Sequence, residues 1–318
     1  MERNIAVVGC GYWGRNLVRN FAELEALHTI CDINSEVLKQ FASYYPGVNV
    51  ETEYSQVLQN DEIRGIVIAT PAALHYTMAK EALLAGKDTF VEKPFTTSSR
   101  DAQELVELSG KQQRVLMVGH LLLYHPAVQV LKKCIQSGEL GEIYYLYSTR
   151  VNLGQIRHDE NALWRLVPHD IAMFIYLLEE SPAVISAQGS SYLQPNFVDV
   201  VFVTLRLGKV LAHIHASWLD PHKTRQLTVV GSKKMAVFDD MEPEYKLQIY
   251  DKGVLSNTLL IRSGEAISPQ VQLTEPLLLE CQEFIQCMKE RRKPLSDAKL
   301  GLHVVESLEA AHKLMETG

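Results

Sequence analysis

The feature that most constrains this chain is a glycine loop close to its start. Gly9, Gly11 and Gly14 follow the apolar run Ile5–Val8 and precede a segment with apolar residues at helical spacing. In such a loop the first glycine permits a tight turn, the second lets the backbone approach a pyrophosphate, and the third lets helix and strand pack closely. The sequence therefore predicts a strand, a turn and a helix whose N-terminus can bind a dinucleotide.

Short apolar runs and segments of helical periodicity alternate as far as about residue 120. The later runs are rich in β-branched residues and lie at 28–32, 65–71, 89–94 and 115–119. This alternation is typical of a doubly wound parallel sheet. We therefore expect residues 1–120 to form an α/β domain of the Rossmann type with a parallel sheet.

The pattern changes beyond about residue 121. After a predicted helix at 126–136, most segments between 143 and 250 have the composition of strands. One helix is expected there, over His169–Leu178, and two more at 275–290 and 300–315 close the chain. The prediction is an α+β domain over 121–318 with a largely antiparallel open sheet, which binds substrate and forms a homodimer or a homotetramer.

Composition narrows the class of protein. Of the 318 residues, 47% are hydrophobic and 22% are charged, which is typical of a soluble globular protein. The formal charge of -7 and the lack of a dense Lys/Arg block argue against a nucleic-acid partner. No apolar run approaches the roughly 18 residues needed to cross a bilayer, and the start of the sequence does not resemble a signal peptide. We expect a cytoplasmic protein without a membrane partner.

The cysteines and histidines do not indicate a metal or a disulfide framework. The five cysteines are scattered and include no CxxC pair, so we interpret them as reduced thiols. His213 and His215 alternate on one predicted strand, but two histidines without a third ligand make a poor metal site. We expect no bound metal.

Asp32 ends the second predicted strand, where an acid can bind the ribose hydroxyls of an adenosine. A carboxylate there repels the 2′-phosphate of NADP, and Asn34 and Ser35 supply no cation to bind it, so NAD is the expected cofactor. The residues predicted to bind it are Gly9, Gly11, Tyr12, Trp13, Gly14, Asp32, Thr70, Pro71, His75, Glu92 and Lys93.

The segment Glu92-Lys93-Pro94 lies at the carboxyl end of a predicted parallel strand, where doubly wound sheets bind their ligands. Together with Gly9–Gly14, Ala69-Thr70-Pro71 and Gly86-Lys87, it resembles the glucose–fructose oxidoreductase/inositol dehydrogenase/MocA (Gfo/Idh/MocA) family. The resemblance extends along essentially the whole chain and includes Gly138–Glu142.

The resemblance implies two catalytic residues, Lys93 and His169. One accepts the proton of a sugar hydroxyl while hydride passes from the same carbon to nicotinamide, and the other stabilises the developing alkoxide. Which of the two is the base stays open. Many relatives carry an aspartate four residues before the histidine, where this chain has Arg165. The aspartate that would be the third catalytic group is then absent or replaced by Asp170. Arg165 is a candidate to bind an anionic substrate.

Within the family, segments 152–170 and 217–225 are similar to nucleotide-sugar 3-dehydrogenases. The implied reaction is oxidation of the 3-hydroxyl of UDP-N-acetylglucosamine, giving a keto sugar for a sugar aminotransferase in surface-polysaccharide or lipid A biosynthesis. The alternatives are the corresponding uronate, a polyol or inositol-type substrate, and a non-catalytic NAD-sensing regulator. Arg150 is one candidate for the diphosphate. The residues expected at the substrate are Lys93, Tyr124, Asn152, Arg157, Trp164, Arg165, His169, Lys223 and Arg225.

Overall fold

The computed structural model describes residues 3–154, 156, 160–195, 197–254, 258–272 and 274–317. The chain divides into two compact units. The first comprises Met1–Leu121 and Glu275–Val305, and the second comprises Leu122–Thr274 and Glu306–Gly318. The first stretch of the first unit ends at Leu121, and Glu275–Val305, near the end of the given sequence, lies with the first unit.

The strands and helices are numbered in chain order. The strands are β1 (Ile5–Val8), β2 (Leu27–Cys31), β3 (Asn49–Glu51), β4 (Gly65–Ile68), β5 (Asp88–Val91), β6 (Leu116–Val118), β7 (Ile143–Val151), β8 (Pro182–Ser190), β9 (Val200–Leu207), β10 (Val210–Ser217), β11 (Thr224–Gly231), β12 (Met235–Asp239), β13 (Leu247–Val254) and β14 (Ile261–Ile267). The helices are α1 (Gly14–Glu23), α2 (Ser35–Tyr44), α3 (Tyr54–Gln59), α4 (Ala72–Leu84), α5 (Ser99–Gln112), α6 (Pro126–Gln136), α7 (Ala162–Leu178), α8 (Pro276–Glu290) and α9 (Ala298–Thr317).

The sheet of the first unit has six parallel strands in the order β3-β2-β1-β4-β5-β6. Every residue of β1, β4 and β5 is buried, as expected for strands covered by helices on both faces. The predicted Rossmann fold is confirmed. The strand order reverses between β1 and β4, so the ligand crevice of such a sheet lies at the carboxyl ends of these strands.

Helix α8 belongs to the first unit because its apolar face packs there. Phe284 is fully buried and contacts Phe21 of α1 and Phe90 of β5 edge to face, with ring centroids 6.4 Å and 5.7 Å apart. Aromatic pairs in this geometry add to the stabilisation from burial alone. The sequence pattern predicted a helix here, but the periodicity of a helix does not say which sheet it covers.

The sheet of the second unit has eight strands in the order β14-β13-β12-β11-β7-β10-β9-β8. Its neighbouring strands are antiparallel except for the parallel pair β7–β10. The predicted α+β fold with a largely antiparallel sheet is therefore confirmed. Two strands at sheet edges were missed, β3 and β14, because their side chains are mostly exposed and do not form an apolar run.

Helix α7 is longer than predicted. It begins at Ala162 rather than at His169, because the side chain of Asn161 accepts a hydrogen bond from the backbone N–H of Trp164 at 3.1 Å and caps the helix. The expected start was wrong because Pro168 has the character of a helix boundary, whereas here it lies inside the helix. His169 is consequently a mid-helix residue, one turn after Arg165.

Among the helices of the described residues, none combines the length and the apolar character that crossing a membrane requires.

The position of Phe284 generates a prediction about stability. Phe284→Ala is expected to lower the free energy of unfolding by about 3–5 kcal/mol, because it leaves a cavity against Phe21 and Phe90. Urea unfolding followed by fluorescence measures the change. Tyr44→Ala, at a side chain that is 76% exposed, is the control. Equal losses for both variants would show that α8 does not contribute to the core of the first unit.

Candidate active site

The glycine loop has the shape of a phosphate cradle. A Cβ on Gly14 would lie 1.8 Å from the carbonyl oxygen of Gly9, and a Cβ on Gly9 would lie 2.8 Å from the carbonyl of Ala69. Gly11 instead faces open space, with no atom within 4 Å of its Cβ position. Helix α1 has no acidic residue in its first turn, and its N-cap residue, Trp13, makes no side-chain cap. The loop and the positive helix end therefore fit a pyrophosphate.

Asp32 lies directly beside this loop. Its Oδ2 accepts a hydrogen bond from the backbone N–H of Cys10 at 2.7 Å, and its Oδ1 accepts one from Asn34 at 2.9 Å. An ionised carboxylate has about four acceptor sites, so these two bonds leave capacity for ribose hydroxyls. The position fits the predicted contact with the adenosine ribose of NAD.

His75 connects two strand ends. It is 1% exposed, and its Nδ1 lies 2.7 Å from the carbonyl oxygen of Pro94 while its Nε2 lies 2.9 Å from that of Thr70. Both ring nitrogens therefore face backbone carbonyls at the ends of β4 and β5. This geometry gives His75 a positioning role between the two loops, with Thr70 half-buried and Pro71 exposed beside it.

Glu92 joins the glycine loop to the end of β5. Its Oε1 accepts a hydrogen bond from the indole Nε1 of Trp13, and its Oε2 accepts one from the backbone N–H of Lys93 at 3.2 Å. A Cβ on Gly119 would lie only 2.9 Å from the same carboxyl group. Burial raises the pKa of Glu92 to about 7, although the Trp13 bond and the charge of Lys93 act in the opposite direction.

Lys93 and His120 lie close together at the carboxyl edge of the sheet. Lys93 follows β5 and is half-buried, and His120 follows the neighbouring strand β6 and is 1% exposed. Burial, with a smaller contribution from the charge of Lys93, lowers the pKa of His120 to about 3. His120 is therefore neutral, and neither ring nitrogen has a hydrogen-bond partner in the described part of the chain. The sequence analysis did not assign this residue, although its place after a strand adjacent to β5 is a usable signal.

Glu280 is a second residue that the sequence analysis missed. It is fully buried in α8, and both of its carboxyl oxygens lack a hydrogen-bond partner among the described residues. Burial, together with the nearby charge of Glu92, raises its pKa well above the ordinary value. The available signal was an acid placed on the apolar stripe of Leu277, Cys281 and Phe284.

In the second unit, His169 is half-buried on α7 and precedes Asp170. Asp170 forms a buried bidentate pair with Arg150 of β7, with distances of 2.8 Å from Nε to Oδ2 and 3.0 Å from Nη2 to Oδ1. Fork-to-fork pairs of this kind fix geometry as well as charge. The pair attaches α7 to the sheet beside His169. Arg150, a candidate to bind the diphosphate, and Asp170, a candidate for the third catalytic group, are therefore engaged with each other.

Arg165 occupies the same face of α7 as His169, one turn earlier. Its Nη1 lies 3.5 Å from Oε2 of Glu160, and the Arg165 side chain is 31% exposed. Trp164, its neighbour, is half-buried. A long, partly exposed ion pair such as this one contributes little stability.

The other predicted substrate residues are distributed over the second unit. Asn152 and Lys223 flank the same end of the β7–β11 pair, where Val151 lies opposite Thr224. Lys223 is exposed, and Arg225 forms an ion pair with Asp240 at 3.3 Å. Tyr124 is only 2% exposed. Arg157 lies outside the described residues.

Groups of three or more histidine, cysteine or acidic side chains able to hold a metal ion are absent from the described residues.

The parallel sheet of the first unit, with its glycine loop and with Asp32 directly after β2, has the arrangement of a dinucleotide-binding domain. Residues 3–120 match the profile of the oxidoreductase family with an NAD-binding Rossmann fold, and residues 128–237 match the GFO/IDH/MocA C-terminal domain. The chain belongs to the Gfo/Idh/MocA family, and its cofactor is NAD.

Several individual proteins are similar to this chain. UDP-N-acetylglucosamine 3-dehydrogenase from Acidithiobacillus ferrooxidans is 24% identical over 306 residues, which are 94% of this chain and 93% of that protein. A solved structure of that enzyme, GnnA, superposes with a TM-score of 0.87 at 21% identity and covers 100% of this chain and 99% of the other. The solved structure of levoglucosan dehydrogenase in complex with NADH and levoglucosan superposes with a TM-score of 0.86 at 20% identity. The match covers 99% of this chain and 97% of the other.

The contacts of Asp32 generate a prediction about cofactor choice. The wild-type protein is expected to bind NADH at least about 100-fold more tightly than NADPH, because placing a carboxylate against the 2′-phosphate costs several kcal/mol. Asp32→Asn, which keeps an acceptor for Cys10, should reduce this ratio to less than about tenfold. Fluorescence titration of the reduced dinucleotides measures both.

Glu36→Gln is the matched control, because it removes a charge from an exposed position at the start of α2. A ratio near one in the wild-type protein would show that Asp32 does not contact the adenosine ribose.

Proposed function

We propose that this protein uses NAD to oxidise the 3-hydroxyl of a nucleotide sugar, with UDP-N-acetylglucosamine as the first substrate to test. The observation that carries the reaction type is the position of Lys93 at the carboxyl end of β5, next to the buried Glu92 and in the unit that binds NAD. The similarity to a UDP-N-acetylglucosamine 3-dehydrogenase over 94% of the chain supports the choice of substrate.

In this proposal Lys93 and His169 share the acid–base work. Bound NAD supplies the hydride acceptor. One of the two side chains accepts the proton of the 3-hydroxyl, and the other donates a hydrogen bond to the oxygen as negative charge develops. Both residues are half-buried, so each retains access to a ligand while part of its hydration is removed.

The charged groups of the second unit suit a substrate with a diphosphate. Lys223 is exposed beside the end of β7, with Asn152 at the same end of the sheet. Arg225 contributes a further positive charge and is held by Asp240. Arg150 is not part of this set, because its guanidinium is engaged with Asp170. We propose Lys223 and Arg225 as the phosphate-binding residues of the described chain.

The proposed product, a 3-keto nucleotide sugar, carries a carbonyl that an aminotransferase can use. We therefore propose a sugar aminotransferase as the next enzyme, in surface-polysaccharide or lipid A biosynthesis in the cytoplasm. A homo-oligomer is also proposed, because the sheet of the second unit has an apolar face with exposed aromatic residues. The exposed apolar side chains of this face include Tyr145, Tyr147, Phe202 and Leu211.

The reaction itself is the first test of this proposal. Incubation with NAD and UDP-N-acetylglucosamine, with an aminotransferase and an amino donor present to remove the keto sugar, is expected to produce NADH absorbance. Lys93→Ala should lower kcat by about 10²–10⁴-fold, because it removes an acid–base or alkoxide-stabilising group, while the Kd for NAD stays similar.

Lys111→Ala, at an exposed residue near the end of α5, is the control for removal of a lysine. Wild-type turnover in Lys93→Ala would contradict the catalytic assignment. Turnover of a polyol but not of any nucleotide sugar would contradict the substrate and leave the reaction type in place.

One observation favours a second substrate, UDP-N-acetylglucosaminuronate. Arg165 stands where the family resemblance implies an aspartate, and its Nη1 lies 3.5 Å from Oε2 of Glu160. A sugar carboxylate would offer Arg165 a bidentate partner that the neutral sugar does not have.

For this second substrate, Arg165→Gln is expected to lower kcat/KM by about 10–100-fold, which is the effect of losing a charge-assisted hydrogen bond. The same variant should change kcat/KM for UDP-N-acetylglucosamine by less than about threefold. Arg100→Gln, at an exposed residue in the first turn of α5, is the control. Equal effects on both sugars would assign Arg165 to the fold of α7 rather than to recognition of a carboxylate.

A further inference from the structure

The side chain of Trp13 makes a contact that neither the family match nor the proposed reaction assigns. Trp13 is the N-cap residue of α1, a position where Ser, Thr, Asp or Asn usually accepts a hydrogen bond from the first helical turn. An indole can donate a hydrogen bond but cannot accept one, and Trp13 makes no such cap. Its Nε1 donates instead to Oε1 of Glu92, the residue after β5. The indole therefore connects the glycine loop with the end of a strand.

Three elements of the first unit meet at the Glu92 carboxyl group. Trp13 contacts it from the start of α1, and the backbone N–H of Lys93 donates to its Oε2 at 3.2 Å. From the end of β6, Gly119 leaves the space that the carboxyl occupies, because a Cβ there would lie 2.9 Å from Oε2 and 3.1 Å from Oε1. The position of this carboxyl is therefore set by two donors and by a missing side chain.

The Trp13 bond matters because the Glu92 carboxyl is buried. Glu92 is only 8% exposed, so bulk water does not readily replace a donor that is lost. Hydrogen bonds to a carboxylate belong to the stronger class, and the bond from Trp13 favours the ionised form of Glu92 against the larger effect of burial. Without the indole N–H, Oε1 would lack this donor. The carboxyl, and the Lys93 backbone bonded to it, would then lose the constraint that the indole supplies.

The backbone of Trp13 lies in the other half of the cofactor site. The first N–H groups of a helix have no partner within the helix, and those at the start of α1 are the groups that fit a pyrophosphate. The strand end that the side chain reaches belongs to the half-sheet β4-β5-β6, which in a doubly wound fold binds the second half of a dinucleotide. Trp13 therefore belongs to the pyrophosphate half by its backbone and to the nicotinamide half by its indole.

We propose that Trp13 is a positioning residue whose indole, through the carboxyl of Glu92, holds the backbone of Lys93 in place for the nicotinamide half of the cofactor. The pyrophosphate loop and the Lys93 strand end are thereby kept in one fixed relation. The effect on turnover rests on the catalytic role proposed for Lys93. The effect on cofactor binding does not, because it needs no sugar substrate.

The first test compares NADH with ADP-ribose, which carries the pyrophosphate but lacks the nicotinamide. Calorimetric titration is carried out at about pH 8.5, above the pKa of about 7 of Glu92, so that the carboxylate is ionised. Trp13→Phe is expected to raise the Kd for NADH about tenfold, which is the effect of losing one charge-assisted hydrogen bond. The Kd for ADP-ribose should rise by less than about threefold.

Trp218→Phe is the matched control, because it also removes an indole donor from a buried carboxyl group, that of Asp199 in the second unit. It should leave the ratio of the two Kd values unchanged. Equal weakening of NADH and ADP-ribose by Trp13→Phe would show that Trp13 acts on the pyrophosphate alone, and it would overturn the proposal.

The second test asks whether the effect of Trp13 passes through Glu92. Glu92→Met removes the acceptor and places an unbranched apolar side chain at a buried position, which favours folding. In this background Trp13→Phe is expected to change the Kd for NADH by less than about twofold, because the hydrogen bond is already absent. A loss of about tenfold in both backgrounds would mean that Trp13 acts without Glu92, contrary to the proposal.

A spectroscopic measurement keeps the proposal testable without any variant of Glu92. Ultraviolet resonance Raman spectra report whether an indole N–H is hydrogen-bonded, and the difference between wild type and Trp13→Phe isolates the signal of Trp13. We expect a bonded N–H in the free protein and in the ADP-ribose complex. A free N–H in the wild-type protein would refute the contact.

Turnover supplies the last readout. With any sugar that the enzyme oxidises, Trp13→Phe should lower kcat about tenfold at saturating NAD and change the KM for the sugar by less than about threefold. An unchanged kcat would refute the link to Lys93. If no nucleotide sugar is oxidised, the substrate proposed above is wrong, and the titrations and Raman spectra still decide the role of Trp13.

Discussion

The close approach of Gly14 to the carbonyl of Gly9 is the contact on which the rest of the first unit depends. The missing side chain at Gly14 allows α1 to start directly at the turn after β1, where a Cβ would meet the Gly9 oxygen at 1.8 Å. With α1 in this position, Trp13 at its N-cap reaches the carboxyl of Glu92. The missing side chain of Gly14 therefore allows the phosphate-binding loop to form. Through the Trp13 hydrogen bond it also positions the Glu92 carboxyl next to Lys93.

The parallel sheet was predictable because its physical signature is local. Strands such as β1 and β4 are buried on both faces, so each of their residues is apolar or small and the run is uninterrupted in the sequence. Edge strands carry no such signature, and β14 was missed for this reason. The start of α7 was misplaced because the side chain of Asn161 caps the helix before Ala162, and Pro168 lies inside the helix instead of before it.

The candidate site was only partly predictable. Residues within one motif could be identified from the sequence, whereas contacts between groups far apart in the sequence could not. Asp32 was singled out by motif spacing, and its carboxylate lies beside the loop, where it accepts a hydrogen bond from Cys10. His75 was predicted to bind the cofactor. Its two ring nitrogens face the carbonyls of Thr70 and Pro94, and this contact depends on how α4 and the loops after β4 and β5 are placed in space. The effect of the Glu92 charge on Glu280 could not be predicted from the sequence either, because it depends on the packing of α8 on the first sheet.

The return of α8 to the first unit affects the order in which the chain can fold during synthesis. Phe21 and Phe90 are synthesised before the second unit, but the aromatic side chain that covers them, Phe284, is synthesised only after the strands of that unit. All the strands of the second unit have been synthesised by then. The nucleotide-binding unit therefore cannot be completed before the strands of the second unit have been synthesised, and until then the apolar surface around Phe21 and Phe90 lacks the Phe284 side chain that covers it.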